Sequence, residues 1–154
     1  MRIGEICTRS VVTCERDESA LDLARRMRAN HVGDVVVVDS ADGGCAPIGI
    51  VTDRDLAIQV LAAEVDPRTV CAGDLLAGEL VTGTDSDLVY DAIWTMRRKG
   101  VRRLPVVDAR GQLVGVLTAD DVAEFLAEEL TEVARIVPRQ MQREEALRTP
   151  IGQA

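Results

Sequence analysis

Aromatic side chains are nearly missing: one Trp, one Tyr and one Phe in 154 residues. The core cannot rest on rings, so Val, Leu, Ile, Ala and Met must fill it. A hydrophobic content of 47% is enough for one compact domain. Basic charge is also short, with 18 Lys and Arg against 26 Asp and Glu, a formal charge of -8. The two shortages together exclude a general nucleic-acid binder, which needs basic stripes and usually stacking aromatics. They leave room for a small anionic ligand, for which a few arginines and backbone N–H groups suffice.

Other absences narrow the function further. His31 is the only histidine. No Ser/His/Asp or Cys/His arrangement, metal-ligand cluster or cofactor loop of the usual kinds is visible, so an enzyme is the least expected reading. Four cysteines, Cys7, Cys14, Cys45 and Cys71, contain no C-x-x-C pair. Free thiols in a reducing compartment are expected; a metal site or one redox disulfide is the alternative. Cys45, in a Gly-rich turn, should be the most exposed, and Cys7, ending an apolar turn, should be buried. No apolar run approaches a membrane span and the first five residues do not read as a signal peptide, so a cytoplasmic protein is expected, with no membrane partner.

What is present is repetition. Gly49-Ile50-Val51-Thr52-Asp53-Arg54-Asp55 reads as a buried strand running straight into a helix, with Thr52 or Asp53 as its cap. Gly115-Val116-Leu117-Thr118-Ala119-Asp120-Asp121 repeats the device 66 positions later, Gly115 answering Gly49. Upstream the offset is 69: Val81-Thr82 falls on Val12-Thr13, Asp91 on Asp22, Met96-Arg97 on Met27-Arg28 and Val106-Val107-Asp108 on Val37-Val38-Asp39. The change in offset falls in the turn around Ala41-Asp42-Gly43-Gly44, where a surface hairpin tolerates a length change.

Each unit reads in the same order: short strand, helix, strand, strand, helix. Residues 2–7 form a helical turn matched by Ala72-Gly73-Asp74-Leu75-Leu76. Val11-Val12-Thr13 and Leu80-Val81-Thr82 are short extended pieces. Asp17 and Ser86 stand as N-caps of the next helices. Those helices bury Ala20, Leu23, Ala24, Met27 and Val89, Ala92, Ile93, Met96. Val35–Val38 and Leu104–Val107 are apolar runs of strands buried on both faces. The units divide the chain into 2–65, a linker 66–71, and 72–127. Residues 128–154 are the C-terminal helix and tail; the helix runs on from Ala123 to Val137, with Leu126, Leu130, Val133, Ile136 and Val137 on its apolar side. Pro138 stops or kinks that helix, residues 139–148 form a short charged helix or fray, and 149–154 are expected to be disordered.

Over residues 2–127 the chain resembles a tandem pair of CBS domains, or Bateman module, and looks most like small stand-alone bacterial proteins of that type. The resemblance rests on the Gly-hydrophobic-x-Thr-x-x-Asp corner found twice, the Leu104-Pro105-Val106-Val107-Asp108 strand and the Asp74-Leu75-Leu76 turn. It implies an α/β (α+β) fold of two pseudo-symmetric β-α-β-β-α repeats packed through their sheets. It also implies two clefts between the repeats, each able to hold an adenosine-containing ligand. Thr52 and Thr118 would then meet phosphate, and Asp55 and Asp121 would hold ribose hydroxyls. The chemistry agrees, since a carboxylate accepts from two neighbouring hydroxyls and a threonine at a helix start sits beside free N–H groups. Gly49 and Gly115 would let the backbone approach the ligand. Val12, Val32, Ile50 and Val81, Val101, Val116 would contact adenine, with Arg54, Arg102 and Arg103 toward phosphate.

The plainer alternative makes Thr52 and Thr118 helix caps only, and Asp55 and Asp121 first-turn acids. The two units also differ. Val36 stands where Pro105 stands, Asp34 where Arg103 stands, Asp120 where Arg54 stands, and His31 where Gly100 stands. The clefts are therefore expected to be unequal, and His31 to be a helix-end or surface residue rather than a cleft-lining one. The leading functional expectation is a regulatory or sensor module for AMP, ADP, ATP or a related ligand, with no cofactor required and a homodimer as its assembly. The alternatives are a ligand-independent structural or partner-interaction protein, and a thiol- or metal-responsive stress protein.

Overall fold

The structure, a computed structural model, describes residues 1–40 and 43–148. Ala41 and Asp42 of the expected hairpin turn, and the tail 149–154, lie outside the described residues. The first half contains α1 (Ile3–Ile6), β1 (Thr13–Glu15), α2 (Ala20–Asn30), β2 (Asp34–Asp39) and β3 (Ala46–Thr52). It ends in α3 (Asp53–Asp55), which widens into a π-helical stretch, Leu56–Leu61. The second half contains α4 (Ala72–Leu75), β4 (Gly83–Thr84), α5 (Val89–Lys99), β5 (Arg103–Val107), β6 (Leu113–Thr118), α6 (Ala119–Ala134) and α7 (Ile136–Leu147).

The strands form two three-stranded sheets, β1-β2-β3 and β4-β5-β6, each with a parallel first pair and an antiparallel second pair. Both hairpins carry a register shift at the equivalent place, between Val37 and Val38 and between Val106 and Val107. The central strands are buried as their apolar runs predict, with Val35, Val36, Val37, Leu104 and Val106 all at 0% exposure. Val36, Val38 and Val116 form a separate core between the sheets, joined by Val11, Cys45, Ile50 and Leu113. Fully burying a valine is worth about 1.5–3 kcal/mol, so this layer is what holds the repeats together. A backbone bond from Leu113 N–H to the Cys45 carbonyl (2.8 Å) ties the sheets at one end. Cys45 is consequently half-buried rather than a free loop residue.

The two helical turns are exchanged. α1 opens the first half of the sequence but packs on the second sheet: Ile3 N–H donates to the Asp87 carbonyl (2.9 Å), and Ile3 and Cys7 belong to the core around Val89, Leu104 and Leu117. α4 packs on the first sheet, where Ala72 N–H donates to the Glu18 carbonyl (2.8 Å) and Ala72 and Leu75 join Leu23, Val35 and Val51. Each repeat therefore needs the other's turn to close its core.

Several local expectations are corrected. The cap of α2 is Ser19, not Asp17: its Oγ accepts from Asp22 N–H at 3.2 Å, and Asp17 lies in the turn before it. The equivalent position in α5 is Leu88, whose side chain has no oxygen to cap the helix; Ser86 lies two residues too early. Ala24 is exposed, so the buried stripe of α2 is narrower than its apolar periodicity. β1 and β4 begin at Thr13 and Gly83, leaving Val11, Val12, Leu80 and Val81 outside the strands. The terminal helix breaks at Arg135, three residues before Pro138. The proline ring conflicts with the carbonyl four residues earlier, that of Ala134, so the break belongs there, and Pro138 itself sits in the first turn of α7, where no N–H is required. His31 is exposed and ends α2 with a left-handed φ of 54°, as Gly100 ends α5 at 68°. Among the described residues, no helix is long and apolar enough to cross a membrane.

Candidate functional site

Each strand-to-helix corner is built the same way. At the first, the Thr52 N–H and hydroxyl both donate to Asp55 Oδ2 (2.8 and 2.7 Å), and Asp55 N–H donates back to Thr52 Oγ1 (3.2 Å). At the second, Thr118 and Asp121 repeat the pattern at 2.7, 2.7 and 3.1 Å. These are reciprocal capping boxes. The cap and the binding reading are compatible, because each cap engages one carboxylate oxygen. The other oxygen of Asp55 accepts only a long contact from Gln59 Nε2 (3.5 Å), which also reaches the Leu75 carbonyl (3.5 Å).

Two clefts lie between the repeats; of the four corner residues, Thr118 lines one of them, and Thr52, Asp55 and Asp121 line neither. Cleft one is lined by Ile48, Gly49 and Ile50 of β3, by residues 76–81, and by Val101 and Arg103. Cleft two is lined by Val116 and Thr118 of β6, by Thr8, Ser10, Val11 and Val12, and by Val32 and Asp34. Their cavity volumes are about 150 and 130 Å3, nearly equal and below the ordinary range for small-molecule sites. The valines are thus grouped crosswise. Ile50 joins Val81 and Val101, while Val116 joins Val12 and Val32, because the strand end of each repeat faces the chain start of the other.

The glycines serve a different contact from the one expected. A Cβ on Gly49 would lie 2.2 Å from Leu76 Cδ2, and one on Gly115 would lie 2.6 Å from Cys7 Sγ and 2.9 Å from the Thr8 carbonyl oxygen. Leu76 and Cys7 are equivalent residues following the exchanged turns. The glycines make room for those turns, and Gly49 still lines cleft one beside Leu76. At the second corner, Thr8 and Val116 exchange two backbone bonds (3.0 and 2.9 Å).

Of the candidate cations, Arg103 lines cleft one, while Arg54 and Arg102 do not line either cleft. Arg54 is exposed, and Arg102 Nη2 stands 3.8 Å from Asp120 Oδ1 at the surface. Arg103 Nε lies 3.0 Å from Asp34 Oδ1, so the two equivalent positions carry opposite charges and meet between the clefts. Sequence reading missed residues 77–80 and Thr8, Ser10 and Val11 as lining. The 69-residue offset pairs these segments, but nothing in their composition marks them.

The thiols occupy unlike settings. Burial pushes the Cys7 thiol up, and pushes Cys14 from 9.0 to about 11, with Glu18 adding to the latter. Both are therefore protonated at neutral pH and poor as nucleophiles or metal ligands. Cys71 Sγ donates to Asp74 Oδ2 at 3.0 Å, and this bond and the Cys71 N–H hold the Asp74 carboxyl below its usual range. Among the described residues, no group of three or more His, Cys, Asp or Glu is gathered as a metal site.

Comparison with known proteins agrees with this architecture. The CBS domain family profile matches residues 3–61 and again 72–128. An uncharacterized protein of Methanopyrus kandleri is 38% identical over 122 residues, 79% of this chain and 61% of that protein, so the chain spans under two thirds of that relative's length. Hypoxic response protein 1 of Mycobacterium tuberculosis is 32% identical over 118 residues, covering 76% of this chain and 80% of that one. A crystal structure of Hypoxic Response Protein I with two coordinated zinc ions superposes with a TM-score of 0.70 at 28% identity, over 80% and 98% of the two chains. A CBS domain protein of Pyrobaculum aerophilum, solved in complex with AMP, also gives 0.70 at 28% identity, over 79% and 89%.

Proposed function

This chain belongs to the CBS domain family, and from that premise we propose that it is a regulatory module binding an adenosine-containing ligand in the clefts between its repeats. One observation carries the reading. Each cleft sets apolar residues of one repeat beside the strand that runs into the other's capped corner, with Ile50 of β3 in cleft one and Val116 and Thr118 of β6 in cleft two. The apolar lining suits a flat base. The free oxygen of Asp55 or Asp121 suits the paired ribose hydroxyls, as an acidic residue does in dinucleotide-binding folds. The start of α6, with Thr118 as its cap, and Arg103 in cleft one suit phosphate oxygens. The AMP complex of the Pyrobaculum relative supports the ligand class.

Thermal-shift and calorimetric titration with adenosine, AMP, ATP and S-adenosylmethionine tests this. Saturable stabilisation by at least one of the four is expected, growing with ligand concentration as binding to the folded state requires. No shift and no heat with any of them refutes the reading.

A second role concerns assembly, and a specific surface favours it. Tyr90 and Trp94 stand on one face of α5 at 67% and 64% exposure, although they are two of only three aromatics. Leu130, Val133, Ile136, Val137 and Met141 of α6 and α7 are each exposed by more than half. Extended apolar surface of this kind marks an interface, and a two-fold dimer is the commonest closed solution. We assign it to a homodimer that presents the clefts to a regulated partner.

A further inference from the structure

The two clefts nearly match in volume and differ in charge, and a single ion pair links them. Asp34 and Arg103 are the first residues of β2 and β5. Asp34 lines cleft two and Arg103 lines cleft one, yet their side chains meet at 3.0 Å, with 22% and 36% exposure. The contact is an ion pair without an aligned hydrogen bond, since Arg103 Nε is buried with no hydrogen-bond partner among the described residues. Arg103 is thus held by charge alone and keeps its forked donors for another anion. The helix starts differ in the same sense, with Arg54 following the first corner and Asp120 the second. Glu79 also lines cleft one and is exposed, so Arg103 is the buried-side charge of that cleft and Glu79 its outer one. No Lys or Arg lines cleft two, where Asp34 is the one charged lining residue among those described.

We propose, resting on the adenosine reading, that the clefts are sorted by charge and coupled through this pair. Cleft one takes an adenosine ligand bearing phosphate. Cleft two takes one whose 5′ substituent is neutral or cationic. The physical argument is competition for shared partners. A phosphate in cleft one draws Arg103 toward itself and leaves Asp34 uncompensated, so a second anion is repelled from cleft two and a cation is favoured there. Because coupling between two sites is reciprocal, a cation in cleft two frees Arg103 and strengthens phosphate binding in cleft one. Two anionic ligands are then negatively cooperative, while an anion and a cation are positively so.

Calorimetry of the full chain and of Asp34→Asn and Arg103→Gln, with AMP and with adenosine, tests the proposal. In the wild type, AMP should fill one cleft at least about fivefold more tightly than the other, the low end of ordinary coupling. Asp34→Asn should strengthen the weaker AMP site by a similar factor and leave adenosine within twofold. Arg103→Gln should weaken the tighter AMP site by about tenfold, as expected for a lost charge-assisted contact, again sparing adenosine. Equal AMP sites in the wild type, or AMP isotherms unmoved by both variants, overturn the proposal. If neither nucleoside binds at all, the adenosine reading fails by itself, and pyrophosphate followed by amide NMR still decides the charge sorting. Shifts confined to Gly49, Gly78 and Val81 and lost in Arg103→Gln uphold it. No shifts, or equal shifts at Thr8, Ser10 and Val116, refute it.

Discussion

Replacing Asp121 by alanine separates the two jobs assigned to that carboxylate. From sequence alone the change should weaken ligand binding and barely touch the fold. The structure argues for a larger effect, because Asp121 Oδ2 accepts from both the N–H and the hydroxyl of Thr118, each at 2.7 Å. Alanine removes that half of the box and keeps the other half, in which Asp121's own N–H donates to Thr118 Oγ1. A net hydrogen bond contributes about 0.5–1.5 kcal/mol and the loss of a cap typically about 1 kcal/mol, so a loss of about 1–2 kcal/mol follows. For a chain of this size, that lowers Tm by about 2–8 °C. Asp121→Asn retains an acceptor for Thr118 and should keep most of the stability, while both variants lose the charged acceptor for ribose and about tenfold or more in affinity. Urea unfolding followed by far-UV circular dichroism reads the first effect, and AMP calorimetry reads the second. An alanine variant that unfolds at the wild-type midpoint with an unchanged slope refutes the dual assignment.

The remaining predictions concern packing, thiols and assembly. Gly115→Ala should cost about 1–3 kcal/mol, because its methyl meets the backbone carbonyl of Thr8, pinned by two bonds, whereas Gly49→Ala meets only the end of the Leu76 side chain and should cost less; the reverse order in urea unfolding would sink this account. Cys45 and Cys71 should be alkylated before the buried Cys7 and Cys14 under native conditions, and mass spectrometry showing early Cys14 labelling would contradict it. The raised Cys14 pKa favours the protonated thiol in the fold, so its contribution is complete below pH 9 and is lost as pH rises toward 11. That window is worth at most about 2.7 kcal/mol, and a Cys14→Ala variant with the same decline would assign it elsewhere. Light scattering should give a dimer mass at micromolar concentration, and Leu130→Glu with Trp94→Arg should reduce it to a monomer; a monomeric wild type refutes the assembly.

The legible part of the fold was local. Val35–Val38 and Leu104–Val107 announce buried strands because four apolar residues in a row have no solvent face to offer. Thr52 with Asp55, and Thr118 with Asp121, announce capped helix starts because the required partners lie three residues apart. The cap at Ser19 was missed because Asp17 and Ser19 have nearly equal capping chemistry, and only the entry of the chain into α2 selects between them. The break at Arg135 was missed by three residues because a proline acts on the carbonyl four residues earlier, not at its own position.

The candidate site was legible in kind and not in arrangement. Repetition along the chain marked the corners at Gly49, Thr52, Asp55 and their counterparts, and the resemblance to CBS pairs supplied their expected binding roles. Which valine meets which corner is not written along the chain. The crosswise grouping of Ile50 with Val81 and Val101, the exchange of α1 and α4 between cores, and the meeting of Asp34 with Arg103 all join residues roughly 20 to 115 positions apart in the numbering. The amino-acid order by itself determined the elements and their repetition, because those depend on neighbours within one or two turns. Only the packing of one sheet on the other decided the partners, because burying Val36, Val38 and Val116 together rotates each repeat to face the other's chain start.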